Sequence, residues 1–308
     1  MKSSEQLEFF VGHSPFSDPG QYGSLYDSLP HNIEQLCEIV RGLLLHVKDG
    51  PVFDYIIPPE RLSELDNRYV SKILDQIVAM DSRELSKQRL PSKRVIAVCR
   101  DFSLLMCSIL RHKKIPSRIR FGFADPRRFG FNQYKNSYND LVTLEYWNRE
   151  DSRWYCVDAR TSNVQFNALN AGFDRHDIPI DVYMPAGYVW EKCRMEQVDP
   201  TLFRYGYLKS SGGLWFIRNK VMQELAAMNK VEMLLWDCWG YILDSDAAAP
   251  VQNPEELSMM DQVAEALQGR NFDLEQINKL YAHHKLKVPD KFLSMSPSQG
   301  ITKVTMTS

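Results

Sequence analysis

Residues 97–110 of this chain read AVCRDFSLLMCSIL, and this stretch decides the fold prediction. From Asp101 onward, apolar side chains recur at the three- and four-residue spacing of one buried helix face. Two lysines and Pro116 then end the pattern. The sequence therefore predicts a buried helix with Cys99 at its entrance.

Three runs of alternating apolar residues follow this helix. They cover residues 118–123, 141–147 and 154–158, and a polar turn at 148–152 joins the last two. A helix followed by antiparallel strands is typical of an α+β fold. We expect this core to span about residues 97–160.

The flanking segments predict helical additions to the core. Helical periodicity recurs within residues 30–82 before it and within residues 186–290 after it. The last residues, 294–308, are rich in Ser and Thr without periodicity, which predicts a disordered tail. We therefore expect a single domain over residues 1–293.

Composition narrows the class of protein. With 308 residues, 44% of them hydrophobic, the chain can bury a sizeable core. A net charge of −2 gives no argument for binding nucleic acid or an anionic membrane surface. There is no signal-like start and no window long enough to span a membrane, so we expect a cytoplasmic protein of undetermined oligomeric state.

The cysteines lack metal-site or disulfide-scaffold spacing. No pair shows the C-x-x-C pattern of a zinc site, and we expect reduced thiols and no cofactor. The six positions are Cys37, Cys99, Cys107, Cys156, Cys193 and Cys238.

A cysteine on the first turn of a helix is a candidate nucleophile. The helix dipole and the free backbone N–H groups are expected to lower the pKa of Cys99, and Arg100 adds positive charge beside it. The same amides would bind an oxyanion when the thiolate attacks an acyl carbon. The competing interpretation is a small buried cysteine without a chemical role.

A set of short motifs carries a family resemblance. In chain order they are Cys99-Arg100-Asp101-Phe102, Glu145-Tyr146-Trp147 and Val157-Asp158-Ala159. Because of these motifs and their order, the chain resembles the transglutaminase-like superfamily. This resemblance implies a papain-related fold with a Cys-His-Asp triad, in which Cys99 and Asp158 would be catalytic. It also implies acyl transfer, or amide-bond formation or cleavage, through a thioester. The substrate would be an amide- or carboxyl-containing small molecule or peptide.

One position departs from the family pattern. The triad His is expected four residues before Glu145, where this chain has Leu141. Because strand side chains alternate, Asp140 would reach Cys99 only through a bulge or a one-residue slip. His176 follows the core strands and is the other candidate base, although a surface histidine is the alternative. A pseudoenzyme that binds or scaffolds is therefore the rival of a working enzyme.

Several residues near the core are candidates for supporting roles. Without a triad His to hold, Asp158 is expected to face Arg100 or another cation. A basic and aromatic cluster between the helix and the second strand predicts either a solvated loop or a site for an anionic or carboxylated ligand. Its basic members are Arg118, Arg120, Arg127, Arg128 and Lys135. The candidate supporting or substrate-binding residues are Arg100, Asp101, Arg120, Asp140, Glu145, Trp147 and His176.

Overall fold

The α+β class that the sequence predicts is confirmed. The computed structural model describes residues 2–129, 137–161, 172–205, 212–243 and 251–306. Its helices are α1 (Lys2–Val11), α2 (Ile33–Leu43), α3 (Val70–Met80), α4 (Cys99–His112), α5 (Pro126–Phe129), α6 (Ala186–Arg194), α7 (Leu214–Met228), α8 (Pro254–Ala266) and α9 (Leu274–Tyr281). Its strands are β1 (Leu44–His46), β2 (Val95–Ala97), β3 (Ser117–Ala124), β4 (Tyr138–Asn148), β5 (Arg153–Val157), β6 (Tyr183–Pro185), β7 (Phe203–Arg204), β8 (Asp237–Cys238), β9 (Lys291–Ser296) and β10 (Gly300–Thr305).

The central sheet positions the functional residues. Its strand order is β5-β4-β3-β6 with antiparallel neighbours, and the short β7 lies parallel to β4. β3 and β4 pair without interruption from Ser117 opposite Tyr146 to Ala124 opposite Asn139. Directly paired residues share a face of the sheet. This register therefore fixes which β4 residues face each neighbouring layer.

Helices cover both faces of the sheet. On one face, the Ser103 hydroxyl of α4 donates to the Val142 carbonyl of β4 at 3.0 Å. On the other face, Glu224 of α7 pairs with Arg120 of β3 at 2.6 Å. All four residues are buried, so β3 and β4 lie between α4 and the C-terminal helices.

The helical region predicted within residues 30–82 is interrupted after Asp66. A 3₁₀ helix (Pro59–Asp66) precedes α3, and Asn67 lies between them with an extended backbone. The Asn67 side chain donates to the Glu64 carbonyl at 2.8 Å and to Gln76 Oε1 at 2.9 Å. Such local side-chain hydrogen bonds compete with continuation of a helix.

The C-terminal tail forms a hairpin. β9 and β10 pair antiparallel along their full lengths. The Asp66 carboxylate accepts hydrogen bonds from the hydroxyls of Ser296 at 2.7 Å and Ser298 at 2.6 Å. The prediction of disorder over residues 294–308 was therefore wrong for its described part. The segment has few apolar residues, so its sequence does not predict packing against a core. It is held instead by backbone pairing between the two strands and by hydrogen bonds to the Asp66 carboxylate.

One buried cluster reaches both ends of the chain. It extends from Phe10 in α1 through Leu105 in α4 to Phe292 in β9. The layers before and after the central sheet therefore pack against the same core.

Candidate active site

Cys99 is the first residue of α4. β2 ends at Ala97, and the extended Val98 leads the chain into the helix. The Asp101 carboxylate accepts the Val98 N–H at 2.9 Å, and the Asp101 N–H donates to the Val98 carbonyl at 2.9 Å. An acidic residue at this position caps the helix start. Asp101 thus fixes the position of Cys99 and does not face a substrate.

The Cys99 sulfur contacts β4. The Val142 N–H donates to Sγ at 3.4 Å, and Cys99 is only 7% exposed. One turn further along α4, Ser103 bonds the carbonyl of the same Val142. Two contacts on one residue therefore hold the nucleophile helix against the middle of β4.

Asp140 lies on the Cys99 side of the sheet. Asp140, Val142 and Tyr146 share one face of β4 by alternation, and Ser117, which pairs with Tyr146, contacts Cys107 of α4 at 3.4 Å on that face. The β3–β4 register contains no bulge or slip at this point, so the expectation that Asp140 would need one was wrong. The Asp140 carboxylate forms a salt bridge with Lys220 of α7 at 3.0 Å, and both side chains are buried. The first part of α7 therefore reaches the Cys99 face at this end of the sheet, whereas Glu224, further along α7, contacts the other face.

The charge environment does not activate the resting thiol. Burial, and secondly the negative charge of Asp140, raise the pKa of Cys99 to about 11. The Val142 hydrogen bond and the cations Arg160 and Lys220 act in the opposite direction but do not outweigh them. The expectation of a lowered pKa for Cys99 was therefore wrong for the resting site, because desolvation opposes the helix dipole.

Arg100 points away from the site. Its guanidinium donates to the Arg68 and Glu232 carbonyls, and it pairs with Asp101 at 3.1 Å. The residue is fully buried, so its role is to join α4 to neighbouring loops. It contacts neither Cys99 nor Asp158, the carboxylate that it was expected to face.

Asp158 organises the turn after β5. Its carboxylate accepts the Arg160 N–H at 2.9 Å, the Thr161 N–H at 3.3 Å and the Thr161 hydroxyl. This turn positions Arg160, which pairs with Asp49 at 3.1 Å and whose charge acts on Cys99. Asp158 is therefore linked to the nucleophile through Arg160.

Leu141 belongs to the face opposite Cys99. It pairs with Gly122, and its neighbours on that face are Thr143 and Glu145. Its match to the family His stays a prediction. In the structure, the β4 side chain that shares the face of Val142 is that of Asp140.

Arg120 and Glu145 form a buried ion-pair network on the opposite face. Arg120 pairs with Glu145 at 3.1 Å and with Glu224 at 2.6 Å, while Arg118 pairs with Glu145 at 2.6 Å. These side chains are at most 2% exposed and are paired within the protein, so a substrate-binding or supporting role for Arg120 and Glu145 stays a prediction. The polar residues on this face of β3 and β4 therefore pair with each other and with Glu224 inside the core.

Of the other basic residues of that predicted loop, Arg128 forms an ion pair at the surface. Arg128 pairs with the exposed Asp181 at 2.6 Å. Lys135 and the side chain of Arg127 lie outside the described residues. The loop as an anionic-ligand site therefore stays a prediction.

Trp147 and His176 have local partners. Trp147 packs edge-to-face on Trp154 with ring centroids 5.6 Å apart, as expected for a hairpin pair. His176 Nδ1 lies 3.4 Å from Asp174, and His176 Nε2 accepts from Arg175 at 3.2 Å. Burial and the charge of Arg175 lower the pKa of His176. His176 thus has no hydrogen bond to Cys99.

His46 is the residue that sequence reasoning missed. It ends β1, which runs parallel to β2, and it pairs with Ala97, two residues before Cys99. Its ring lies 6.5 Å from the ring of Phe102 on the first turn of α4. The three leucines before His46 read as part of a helix, and a parallel pair between distant strands leaves no local sequence signal.

Comparisons with known proteins agree with this geometry. The sequence model of the transglutaminase-like superfamily matches residues 67–159, a segment that contains Cys99, Asp140 and Asp158. Searches of curated proteins and of solved structures returned no match. Within the described ranges, no helix has the length and apolar character needed to cross a membrane. The motif order, the helix that starts at Cys99 and the antiparallel sheet agree with this match of residues 67–159 to the transglutaminase-like superfamily.

Proposed function

We propose that this protein is a Cys-dependent acyltransferase or hydrolase in which Cys99 carries the acyl group as a thioester. The observation that carries the proposal is the position of Cys99 on the first turn of α4, with its sulfur held by the Val142 amide. The superfamily match over this segment supports the same chemistry. An amide- or carboxyl-containing small molecule or peptide is the substrate class.

The first step is attack of the Cys99 sulfur on the acyl carbon. The thiol proton passes to the Asp140 carboxylate, the new C–S bond forms, and the carbonyl electron pair moves to oxygen. Collapse of this oxyanion expels the leaving group, which takes the proton back from Asp140. Water or an amine then attacks the thioester and loses its proton to Asp140, the C–S bond breaks with its electron pair on sulfur, and Asp140 returns the proton to Cys99.

Asp140 is proposed as the proton carrier because it shares the sheet face that meets Cys99. Its pairing with Lys220 at 3.0 Å keeps a cation beside the site. That cation stabilises negative charge on either Asp140 or the sulfur. We therefore assign to Asp140 and Lys220 the proton-handling role that a triad His performs elsewhere in the superfamily.

Asp158 is proposed as a positioning residue. Its hydrogen bonds hold the turn that carries Arg160, and Arg160 favours the thiolate form of Cys99. Loss of the Asp158 carboxylate would release this turn. We expect Asp158→Asn to slow acylation of Cys99 without removing the nucleophile.

The pseudoenzyme alternative rests on the state of the resting thiol. With a pKa of about 11, roughly one Cys99 in ten thousand is ionised at pH 7, so forming the thiolate costs about 5 kcal/mol. No imidazole in the described parts of the chain is hydrogen-bonded to Sγ. A protein that keeps this fold for binding alone would have these same features.

A labelling experiment separates the two proposals. The protein is treated with p-nitrophenyl acetate and, separately, with limiting iodoacetamide, and the modified cysteines are identified by mass spectrometry. The enzyme proposal predicts an acetyl adduct on Cys99 and alkylation of Cys99 about 10-fold faster than of Cys107. Cys107 is a suitable internal reference because it is also buried with a raised pKa.

The control is Cys99→Ser, in which the acetyl adduct should disappear. Labelling of Cys99 no faster than that of Cys107, with no acetyl adduct, would favour the binding protein.

A further inference from the structure

His46 brings an imidazole to the start of the nucleophile helix from outside the matched domain. Its Cα pairs with that of Ala97 across two parallel strands, and neighbouring strands lie about 4.8 Å apart. Its ring faces Phe102, which lies one turn after Cys99 on the same side of α4. The imidazole therefore lies beside the turn where the acyl carbon must bind.

The hydrogen bonding of His46 fixes which nitrogen carries the proton. The Lys48 backbone N–H donates to His46 Nδ1 at 3.2 Å, so Nδ1 is an acceptor. In a neutral imidazole the other nitrogen then carries the hydrogen. His46 Nε2 is therefore a donor, and no acceptor for it occurs among the described residues.

The surroundings keep this imidazole neutral. Burial, and then the charges of Arg160 and Lys48, hold the pKa of His46 well below its usual value. Asp49, which pairs with Arg160, is the acidic group on the same loop. Near pH 7 the ring is thus a neutral donor, and Nε2 has no lone pair with which to accept the thiol proton.

We propose that His46 Nε2–H donates a hydrogen bond to the acyl oxygen as Cys99 attacks the carbonyl carbon. This inference rests on the proposed function and adds a catalytic residue to it. The C–S bond forms, the carbonyl π pair moves to oxygen, and the N–H holds that oxygen without transferring its proton. When the oxyanion collapses, the C=O bond returns and the leaving group departs with the C–X electron pair.

The start of α4 offers a second donor to the same oxygen. Within the described residues, the Cys99 and Arg100 backbone N–H groups have no hydrogen-bond acceptor. The first amides of a helix point outward along its axis. An oxyanion beside Cys99 is therefore held between these amides and His46 Nε2, as two-donor oxyanion sites require.

Two reactions of the same sulfur test this role. Acetylation by p-nitrophenyl acetate passes through an oxyanion, whereas alkylation by iodoacetamide is a direct displacement that forms none. Both rates are measured at one pH on Cys99, so a changed thiolate fraction cancels in their ratio. We expect His46→Ala to slow acetylation about 100-fold and alkylation less than 3-fold. His46→Gln, which keeps a side-chain N–H, should recover part of the acetylation rate.

His283→Ala is the matched control. His283 Nδ1 accepts the Lys285 N–H at 3.3 Å, which is the same local motif in the C-terminal part of the chain. This variant should leave both rates unchanged. Circular dichroism of each variant checks that the fold is intact.

The outcomes distinguish the two proposals. Equal loss of acetylation and alkylation in His46→Ala would overturn the donor role, because it indicates a base or a structural residue. An unchanged acetylation rate would overturn it as well, and in both cases Cys99 would remain the nucleophile. If the wild-type protein forms no acetyl adduct on Cys99, the proposed function fails together with this inference.

Discussion

Replacement of Asp140 by Asn should make Cys99 more reactive toward an alkylating reagent. Asp140 is the second cause, after burial, of the raised pKa of Cys99. Asn preserves the shape of the side chain and removes its charge. Lys220, which is 4% exposed and paired with Asp140, then keeps its positive charge near the sulfur. Both changes stabilise the thiolate.

The magnitude follows from the strand geometry. Asp140 lies two residues from Val142, whose amide contacts the Cys99 sulfur, and two residues span about 7 Å along a strand, which we take as the charge separation. At that distance and an effective dielectric constant of about 20, two unit charges interact by about 2.4 kcal/mol, which corresponds to about 50-fold more thiolate. A more acidic thiol is a weaker nucleophile by about a factor of 6 for this change. The net expectation is about 10-fold faster alkylation at pH 8.

The assay is time-resolved mass spectrometry of iodoacetamide labelling, with Cys107 as the internal reference. The control is Asp181→Asn, which removes an exposed carboxylate and should not change the rate of Cys99 labelling. The rate of amide turnover should fall in Asp140→Asn, because the amine leaving group loses its proton donor. A rate within 2-fold of wild type, or slower alkylation, would refute the placement of Asp140 beside Cys99.

Three further predictions concern pH, stability and the missing histidine. Because the pKa of Cys99 is raised to about 11, its alkylation rate should rise with pH through pH 9 without a plateau, as a pH–rate profile would show. Glu224→Gln leaves Arg120 with fewer buried partners and should lower the free energy of unfolding by about 3 kcal/mol in a urea titration, a result that a loss under 1 kcal/mol would contradict. Leu141→His should give no gain in the rate of ester hydrolysis, because Leu141 lies on the face opposite Cys99. Asp140→His, on the Cys99 face, should give a gain, and the reverse order of the two rates would mean that the strand faces are misassigned.

The centre of the fold follows from local sequence patterns. The helix after Cys99 and the strands around residues 141–147 and 154–158 each have their own periodicity, and Asp101 gives the helix a capping residue. Such features depend on neighbours within a few positions. They are therefore predictable without knowledge of the remaining chain.

The site itself depends on non-local pairing. Alternation divides β4 into two sets of residues, but it does not say which set meets α4. In the set that contains Glu145, the carboxylate is neutralised inside the core by Arg118 and Arg120. From the sequence alone, Arg120 and Glu145 were instead candidates for contacting a ligand. His46 reaches the site through a parallel strand pair that joins residues about fifty positions apart. Neither relation is encoded by spacing.

The arrangement also favours a particular kind of acyl donor. A triad His both removes the thiol proton and returns it to the leaving group, with a pKa near neutrality that suits both tasks. In the proposed mechanism these duties are divided: Asp140 handles the proton, and His46, held neutral by burial and by Arg160, only donates a hydrogen bond. An amine must take up a proton as it leaves, so its departure depends on the return of the thiol proton from Asp140. Thioesters and activated esters expel groups that need no proton. We therefore expect this site to prefer such activated acyl donors over amides, and equal rates on a matched ester and amide would contradict this division of roles.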